Sequence, residues 1–322
     1  MKCTSKNYKK KLLCMLCIAV LFMNGCGDSA QTIENPYSVY DSKSLAAGHF
    51  FSKNLCVTEN RDKGTDQVNS SLAEFAGVFN LDTKEVLYSQ KMFDRLYPAS
   101  TTKILTAYII IRYGNLDDTV TVSAEALSGL AGTSVCGLRA GDVLTVRELL
   151  YGLLLTSGND AANVLAEYYS GSVSKFVKAM NKEAKALGAT NSHFVNANGL
   201  PDEEHYTTVY DLYLIFQEAV KLQEFVTIIG TASHEASYQD AGGSAVTKTW
   251  ENSNQYISGT IKAPNKNKVI GGKTGTTTAA GYCLVLYSTN KNKENIVSIV
   301  CKSDSRDHLY QFMNEILSAF AN

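Results

Sequence analysis

The chain has 322 residues, of which 45% are hydrophobic and 19% are charged, with 30 basic and 31 acidic side chains. This ordinary globular composition predicts one large domain or two small ones, and the charge balance excludes a basic nucleic-acid footprint. The cysteines form no metal-ligand pattern and the five histidines are scattered, so no metal and no cofactor is expected.

The N-terminal segment has the organisation of an export signal. Five lysines within residues 2–11 precede an apolar run, Leu12–Met23, that is too short to span a bilayer comfortably. A small residue directly before Cys26 resembles a bacterial lipobox, so residues 1–26 are predicted to be a signal peptide with Cys26 lipidated. Ordinary cleavage nearby and an uncleaved anchor are the alternatives. Each of them predicts export, and the lipid anchor predicts the outer face of the cytoplasmic membrane.

The remaining chain divides into a spacer and a folded domain. Residues 27–67 are polar with little periodicity and predict a spacer, whereas 68–322 carries regular patterns. Without its first 25 residues the chain keeps 25 basic and 31 acidic side chains, since that segment holds five lysines and no acid. The mature protein is therefore expected to be acidic.

Helical and strand patterns alternate along the domain. Strands are predicted at Glu74–Asn80, Glu85–Tyr88, Val246–Trp250, Val269–Gly275, Tyr282–Ser288 and Ile296–Cys301. Helices are predicted from Ser100 to near Gly114, from the Thr145–Glu148 capping box to Thr156, at Asp160–Tyr169 and Ser172–Leu187, from Thr207 or Thr208 to Phe216, and at Asp304–Phe320. Leu116–Val122 and Asp142–Leu144 are short and strand-like or irregular. The order predicts an α/β (α+β) core with an all-helical subdomain over about 115–230.

A serine and a lysine lie one helical turn apart at the start of the first long helix. Ser100-Thr101-Thr102-Lys103 follows Pro98 and precedes an apolar run, so the Lys103 amine is expected beside the Ser100 hydroxyl in a dry site. Burial favours an amine without its proton, which can activate a serine nucleophile. On its own this spacing is a weak signal, because a capping serine beside an exposed lysine gives the same pattern.

Two further motifs strengthen that interpretation. Ser157-Gly158-Asn159 and Lys273-Thr274-Gly275 follow in the order and at the wide separations of the serine acyl-transferases that include penicillin-binding proteins and β-lactamases. From about Ser70 to the C-terminus the chain resembles the low-molecular-mass penicillin-binding proteins that are D-alanyl-D-alanine carboxypeptidases. Further stretches that carry the likeness are Tyr97-Pro98-Ala99, Asp160-Ala161-Ala162, Asn198-Gly199-Leu200, His205-Tyr206-Thr207-Thr208 and Ala280-Gly281-Tyr282-Cys283-Leu284.

The resemblance implies the β-lactamase/transpeptidase-like fold, an antiparallel sheet flanked by helices with the site in a cleft. The C-terminal β-domain of many relatives is not expected here. The implied substrate is a peptidoglycan stem peptide, and β-lactams are implied inhibitors. Ser100 is the expected nucleophile, Lys103 its base and Ser157 a proton relay. The expected substrate-binding residues are Asn159, Lys273, Thr274, Gly275 and Thr276, and the backbone N–H groups of Ser100 and Thr276 form the implied oxyanion hole.

Three other functions share part of this pattern. A D,D-endopeptidase or weak transpeptidase would carry every motif. A class A β-lactamase would need a carboxylate that activates water, and the corresponding run, Ala189–Pro201, contains no Glu or Asp. A domain that only binds wall peptide or senses β-lactams predicts a broken motif set, whereas this set is complete.

Overall fold

The computed structural model describes residues 51–264 and 267–321, and these described residues belong to one compact unit. The signal peptide, Cys26 and the first part of the expected spacer lie outside the described residues. The last part of that spacer packs on the domain: Cys56 is buried, its N–H donates to the Tyr213 hydroxyl, and its carbonyl accepts from Tyr210. The folded unit therefore starts before residue 68.

The described residues form nine strands and seven α-helices. The strands are β1 (Ala73–Asn80), β2 (Glu85–Gln90), β3 (Thr119–Thr121), β4 (Val143–Thr145), β5 (Ser233–Gln239), β6 (Ala245–Glu251), β7 (Lys268–Thr277), β8 (Gly281–Thr289) and β9 (Asn295–Ser303). The helices are α1 (Lys103–Tyr113), α2 (Val146–Leu155), α3 (Asn159–Ser170), α4 (Val173–Ala186), α5 (Val209–Ala219), α6 (Gln223–Ile229) and α7 (Arg306–Phe320). Short 3-10 turns lie at Phe51–Asn54, Ser70–Leu72 and Ala99–Thr102.

Five strands form one antiparallel sheet in the order β2-β1-β9-β8-β7, which leaves β7 at an edge. Its side chains alternate between two apolar layers, as the period of two in a strand requires. Leu284 and Leu286 join the layer under α7, whereas Cys283 and Val285 join the layer around α1 and α5. The thiols of Cys283 and Cys301 are both free and buried.

The central helix α1 is buried along most of its length, from Lys103 to Ile110. Eight consecutive buried residues leave it no solvent-facing stripe there, which is the pattern of a helix enclosed by its neighbours. Because Lys103 is the first residue of α1, its amine starts inside the protein. The apolar run after the motif thus places the Lys103 amine in a buried site.

One part of the fold differs from expectation. The region over about 115–230 is mainly helical, but it also contributes β3 and β4, which pair with β5 and β6 in a second, four-stranded sheet. Each of β3 and β4 has only three residues, and the exposed strand β5 is mostly polar. Neither feature gives a strong apolar alternation, so the segments of β3 and β4 were only strand-like or irregular in the sequence and β5 was not predicted. The pairing of the four strands depends on long-range contacts.

Candidate active site

Ser100 lies in a 3-10 turn, Ala99–Thr102, directly before α1, rather than in the α-helix itself. Ala99 has a φ of 48°, a left-handed conformation that is strained for a residue with a Cβ. The Thr102 hydroxyl donates to the Ala99 carbonyl at 2.8 Å and holds the turn closed. The turn presents a half-buried Ser100 at the entrance of an otherwise buried helix.

The amine of Lys103 is fully buried and has three oxygen neighbours. Its Nζ lies 3.0 Å from Ser100 Oγ, 2.6 Å from Asn159 Oδ1 and 2.6 Å from the Asn198 carbonyl. Burial, and after it the charge of Lys273, holds the pKa of Lys103 well below its ordinary value of 10.5. The site therefore favours a neutral amine in contact with the serine.

Ser157 and Lys273 form the opposite wall. Ser157 sits in the turn between α2 and α3 with a φ of 63°, again left-handed. Lys273 Nζ donates to Ser157 Oγ and to the Thr274 carbonyl, each at 2.9 Å. Burial lowers the pKa of Lys273 to about 7, so this amine also changes its charge near neutral pH.

Strand β7 brings Lys273, Thr274, Gly275 and Thr276 along the sheet edge beside the Ser100 turn. A Cβ built on Gly275 would lie 3.0 Å from the Ser100 nitrogen, so a side chain there would push strand and turn apart. Thr274 is half-buried and Thr276 is exposed. The backbone of β7 and the Ser100 N–H thus meet at one place, which is the arrangement that an oxyanion hole needs.

The predicted site residues are therefore brought together. Lys103 contacts Ser100 and Asn159, while Lys273 contacts Ser157, and Gly275 packs on the Ser100 turn. Their partners among the described residues are hydroxyl, amide and carbonyl groups, and none is a carboxylate. The described residues also contain no group of three His, Cys, Asp or Glu side chains that could hold a metal ion.

His205 is a site component to which the sequence assigned no role. Its Nδ1 accepts from the Val195 N–H at 3.2 Å, and its Nε2 lies 2.8 Å from Thr102 Oγ1. Since the Thr102 proton goes to the Ala99 carbonyl, His205 Nε2–H donates to Thr102. Burial lowers the pKa of His205 to about 4, so it supports the turn as a neutral ring.

The loop of Asn198 and Gly199 closes the site from the other side. The Asn198 carbonyl accepts from Lys103, and Gly199 has a φ of 87°. A Cβ on Gly199 would lie 1.9 Å from the Ala99 carbonyl oxygen, so only glycine fits at this contact. In the sequence, Asn198 and Gly199 belong to a stretch that resembles the carboxypeptidase family, but their spacing from Lys103 did not predict that they contact its site.

Two further residues support the walls of the site. Asp160 accepts from the backbone N–H groups of Cys136, Gly137 and Leu138, which fixes their loop against the Ser157 turn. Ser253 Oγ lies 2.6 Å from Thr274 Oγ1 on β7. Ser253 lies in a bend two residues after the end of β6. No sequence signal marks it, because its relation to Thr274 arises from packing alone.

Comparisons with known proteins agree with this geometry. The family model of D-alanyl-D-alanine carboxypeptidases matches residues 63–305. The D-alanyl-D-alanine carboxypeptidase DacF of Bacillus subtilis is 35% identical over 256 residues, which cover 77% of this chain and 62% of that protein. A D-alanyl-D-alanine carboxypeptidase of Streptomyces is 36% identical over 235 residues, which cover 70% of this chain and 79% of that protein.

Solved structures show the same architecture. The crystal structure of a Streptomyces DD-transpeptidase superposes with a TM-score of 0.72 at 32% identity, covering 77% of this chain and 96% of that chain. A D-alanyl-D-alanine carboxypeptidase from Mycobacterium tuberculosis superposes with a TM-score of 0.68 at 28% identity, covering 77% and 90%. The expected fold class, an antiparallel sheet flanked by helices, is confirmed.

Proposed function

This chain belongs to the D-alanyl-D-alanine carboxypeptidase family, and we propose from that premise that it is a serine-type D-alanyl-D-alanine carboxypeptidase. It removes the terminal D-alanine from peptidoglycan stem peptides through an acyl-enzyme on Ser100. β-Lactams acylate the same serine. No cofactor takes part in this reaction.

The observation that carries the proposal is the set of neighbours around Lys103 Nζ. Asn159 Oδ1 and the Asn198 carbonyl can only accept hydrogen bonds, so they take the two N–H groups of a neutral amine. The remaining tetrahedral position, the lone pair, is left for the Ser100 hydroxyl at 3.0 Å. The amine is thus oriented as a general base toward one proton.

Acylation then follows from these contacts. The proton of Ser100 passes to Lys103 Nζ while Ser100 Oγ bonds to the carbonyl carbon of the penultimate D-alanine. The backbone N–H groups of Ser100 and Thr276 stabilise the negative oxygen of the tetrahedral intermediate. As the C–N bond breaks, the proton that Lys103 took from Ser100 passes through Ser157, which Lys273 contacts, to the departing D-alanine nitrogen, and Lys103 is neutral again. An ester on Ser100 and free D-alanine result.

Deacylation repeats these steps with water as the nucleophile. Water gives one proton to Lys103 through Ser157, the water oxygen bonds to the ester carbon, and Ser100 Oγ leaves with that proton from Lys103. In a β-lactam the bond that breaks lies within the ring, so the leaving nitrogen stays attached to the acyl group. The adduct on Ser100 can therefore persist and be measured.

Substrate recognition is assigned to β7 and Asn159. The terminal carboxylate is bound by Lys273 and Thr274, whose hydroxyl is positioned by Ser253. The Asn159 amide, whose oxygen contacts Lys103, offers its nitrogen to a substrate carbonyl. Because Gly275 lacks a side chain, an extended peptide can lie along the strand edge and pair with it.

A labelled penicillin and an N-acetylated tripeptide ending in D-alanyl-D-alanine test the proposal together. We expect release of D-alanine and one covalent adduct by intact-mass spectrometry. Both should be lost in Ser100→Ala, whereas Ser174→Ala, which changes an exposed serine on α4, should retain both. An adduct that persists in Ser100→Ala would overturn the assignment.

Transfer to an amine instead of water is the second candidate, since a Streptomyces DD-transpeptidase shares this fold and the motifs do not separate the two. Adding glycine or D-alanine derivatives as acceptors partitions the acyl-enzyme between transfer and hydrolysis. A product that contains mainly acceptor would identify a transpeptidase. β-Lactamase activity is disfavoured, because the described partners of Ser100 and Lys103 include no carboxylate that could activate water.

The export signal and the lipid anchor complete the proposal. Diacylation at Cys26 would hold the protein on the outer face of the membrane, since two chains give durable anchoring where one binds only marginally. Within the described residues no helix has the length and apolar character that crossing a bilayer requires. Expression of Cys26→Ser followed by fractionation tests the anchor. A variant that stays membrane-bound with an unchanged processed mass would contradict lipidation.

A further inference from the structure

A cavity of about 320 Å³ lies beyond the Ser100 turn, at the end of β7. Its walls include Tyr97, which precedes the turn, and Ala280, which lies in the connection between β7 and β8. Tyr206, from the chain segment of His205, forms a third wall. The cavity is therefore lined by the segment that leads into the nucleophile turn and by the connection that follows β7, the strand on which the substrate is proposed to lie.

Three charged side chains around the cavity have no ionic partner among the described residues. They are Arg95, Lys302 and Glu203, all exposed to solvent. The guanidinium of Arg95 lies 4.0 Å from the centre of the Tyr206 ring, which orients it and leaves its N–H groups free. The cavity also contacts Glu74, but that carboxylate is already paired with Lys91 at 3.3 Å.

The direction in which the peptide would lie along β7 determines which of its residues reaches the cavity. The terminal carboxylate is assigned to Lys273 and Thr274, and the reacting carbonyl to the N–H of Thr276. A peptide antiparallel to β7 then continues upstream past Thr277, at about 3.4 Å per residue. The residue before D-alanyl-D-alanine consequently reaches the connection that contains Ala280.

We propose that this cavity binds the side chain of the stem residue immediately upstream of D-alanyl-D-alanine, and that it prefers a side chain ending in both an ammonium and a carboxylate group. The proposal rests on the function proposed above. Arg95 and Lys302 bind the carboxylate, and Glu203 binds the ammonium. A side chain with an ammonium alone would bring a third cation beside Arg95 and Lys302 and would leave both unpaired.

Four N-acetylated tripeptides ending in D-alanyl-D-alanine test the preference. Their first residues carry no charged group, an ammonium only (lysine), a carboxylate only (2-aminopimelate), or both groups (diaminopimelate). We expect kcat/KM to be about five- to tenfold higher for the last peptide than for the uncharged one, because solvent-exposed ion pairs contribute modestly. Amidation of its distal carboxylate should remove most of that gain.

Two variants and one control show which side chains produce the preference. Arg95→Gln should reduce the preference for the distal carboxylate about fivefold while leaving hydrolysis of the uncharged tripeptide within about twofold. Arg112→Gln is the matched control, since Arg112 also stacks on tyrosine rings but lies at the far end of α1. Glu203→Gln should reduce only the preference for the distal ammonium.

The outcomes separate this inference from the proposed function. Equal hydrolysis of all four tripeptides, or an unchanged preference in both Arg95→Gln and Glu203→Gln, would overturn the cavity assignment while the carboxypeptidase stands. Failure to cleave any tripeptide, with no penicillin adduct on Ser100, would instead overturn the function itself. The amidated peptide tests the same contact without any change to the protein.

Discussion

The two faces of the five-stranded sheet show how one set of strands can serve stability and chemistry separately. The face under α7 is lined by apolar residues such as Leu284, Leu286 and Val300. The face toward α1 and α5 is also apolar at Val285 and Ile299, but the cleft beside it holds two buried amines. Burial of apolar side chains stabilises the first arrangement, whereas in the second burial disfavours the charged form of the two amines.

This difference has a thermodynamic consequence. The unfolded chain holds its lysines at their ordinary pKa of 10.5, whereas the folded pKa of Lys273 is about 7. Between those values the unfolded chain binds more protons than the native protein, so the free energy of unfolding rises with pH. The contribution is about 1.4 kcal/mol per pH unit for each such group. The buried amines of the cleft therefore lower the free energy of unfolding at neutral pH, and the same burial makes them reactive.

The largest expected effect comes from Lys103→Arg. Arginine keeps a positive charge but does not release its proton at accessible pH, so the base is lost. Acylation by penicillin should fall by about two to four orders of magnitude. Stopped-flow measurement with a labelled penicillin checks this, with Lys182→Arg on the exposed face of α4 as the control. Acylation within about tenfold of the native rate would make Lys103 only an electrostatic partner.

Lys273→Met should have the next largest effect, because it removes both a partner of the substrate carboxylate and a positive charge beside Lys103. Peptide hydrolysis should fall about a hundredfold, and the preference for a free terminal carboxylate over its amide should shrink, because a charged partner is lost. Acylation requires neutral Lys103, so it declines as pH falls through the pKa of that amine. The charge of Lys273 helps to lower this pKa.

Removal of the Lys273 charge should therefore raise the pKa of Lys103. The acidic limb of the pH profile of acylation should then move to higher pH. The profile is measured from about pH 5 to 9 with penicillin for native protein and Lys273→Met. An unmoved limb would show that burial alone sets the pKa of Lys103. Unchanged discrimination between acid and amide peptides would argue against carboxylate binding by Lys273.

A smaller effect is expected from Thr102→Val, which keeps the shape of the side chain but removes its hydroxyl. The Ala99 carbonyl and His205 Nε2–H then lose their partner, which costs about 1–3 kcal/mol of stability. Since Ser100 belongs to the same turn, acylation should slow about tenfold. Thr102→Ser should restore the rate. If Thr102→Val lowered stability but kept the native acylation rate, the hydroxyl would support the fold without positioning Ser100.

The sequence predicted those parts of the molecule in which local pattern decides structure. Strands β8 and β9 are apolar through their centres, and Thr145 caps α2 as expected, with the Glu148 N–H donating to Thr145 Oγ1. The second bond of the capping box is not made, because the Glu148 carboxylate contacts His234 instead. The Ser100–Lys103 contact also follows from spacing along the chain. For these features, neighbouring residues are enough to determine the geometry.

Other parts depend on contacts between distant segments. The left-handed Ala99 is stabilised by Thr102 locally, but its turn also needs His205 and the close approach of Gly199. Ser253 meets Thr274 only after β6 and β7 have folded. No periodicity or propensity encodes such pairs, so the fold class and the principal site residues could be predicted, while the supporting contacts could not.

The smallest effect on the acylation rate is expected from a substitution on the sheet face under α7, and its neighbour on the other face provides the comparison. Leu286 and Val285 are adjacent on β8 and equally buried, but Leu286 faces the α7 layer and Val285 the other. Leu286→Ala should lower the free energy of unfolding by about 2–5 kcal/mol through the cavity it leaves. Well below the unfolding temperature, its acylation rate should remain within about twofold of native. Val285 pairs with Lys273 across the strands, so Val285→Ala should lower both stability and rate. Equal losses of rate in both variants would show that the sheet transmits packing defects to the cleft from either face.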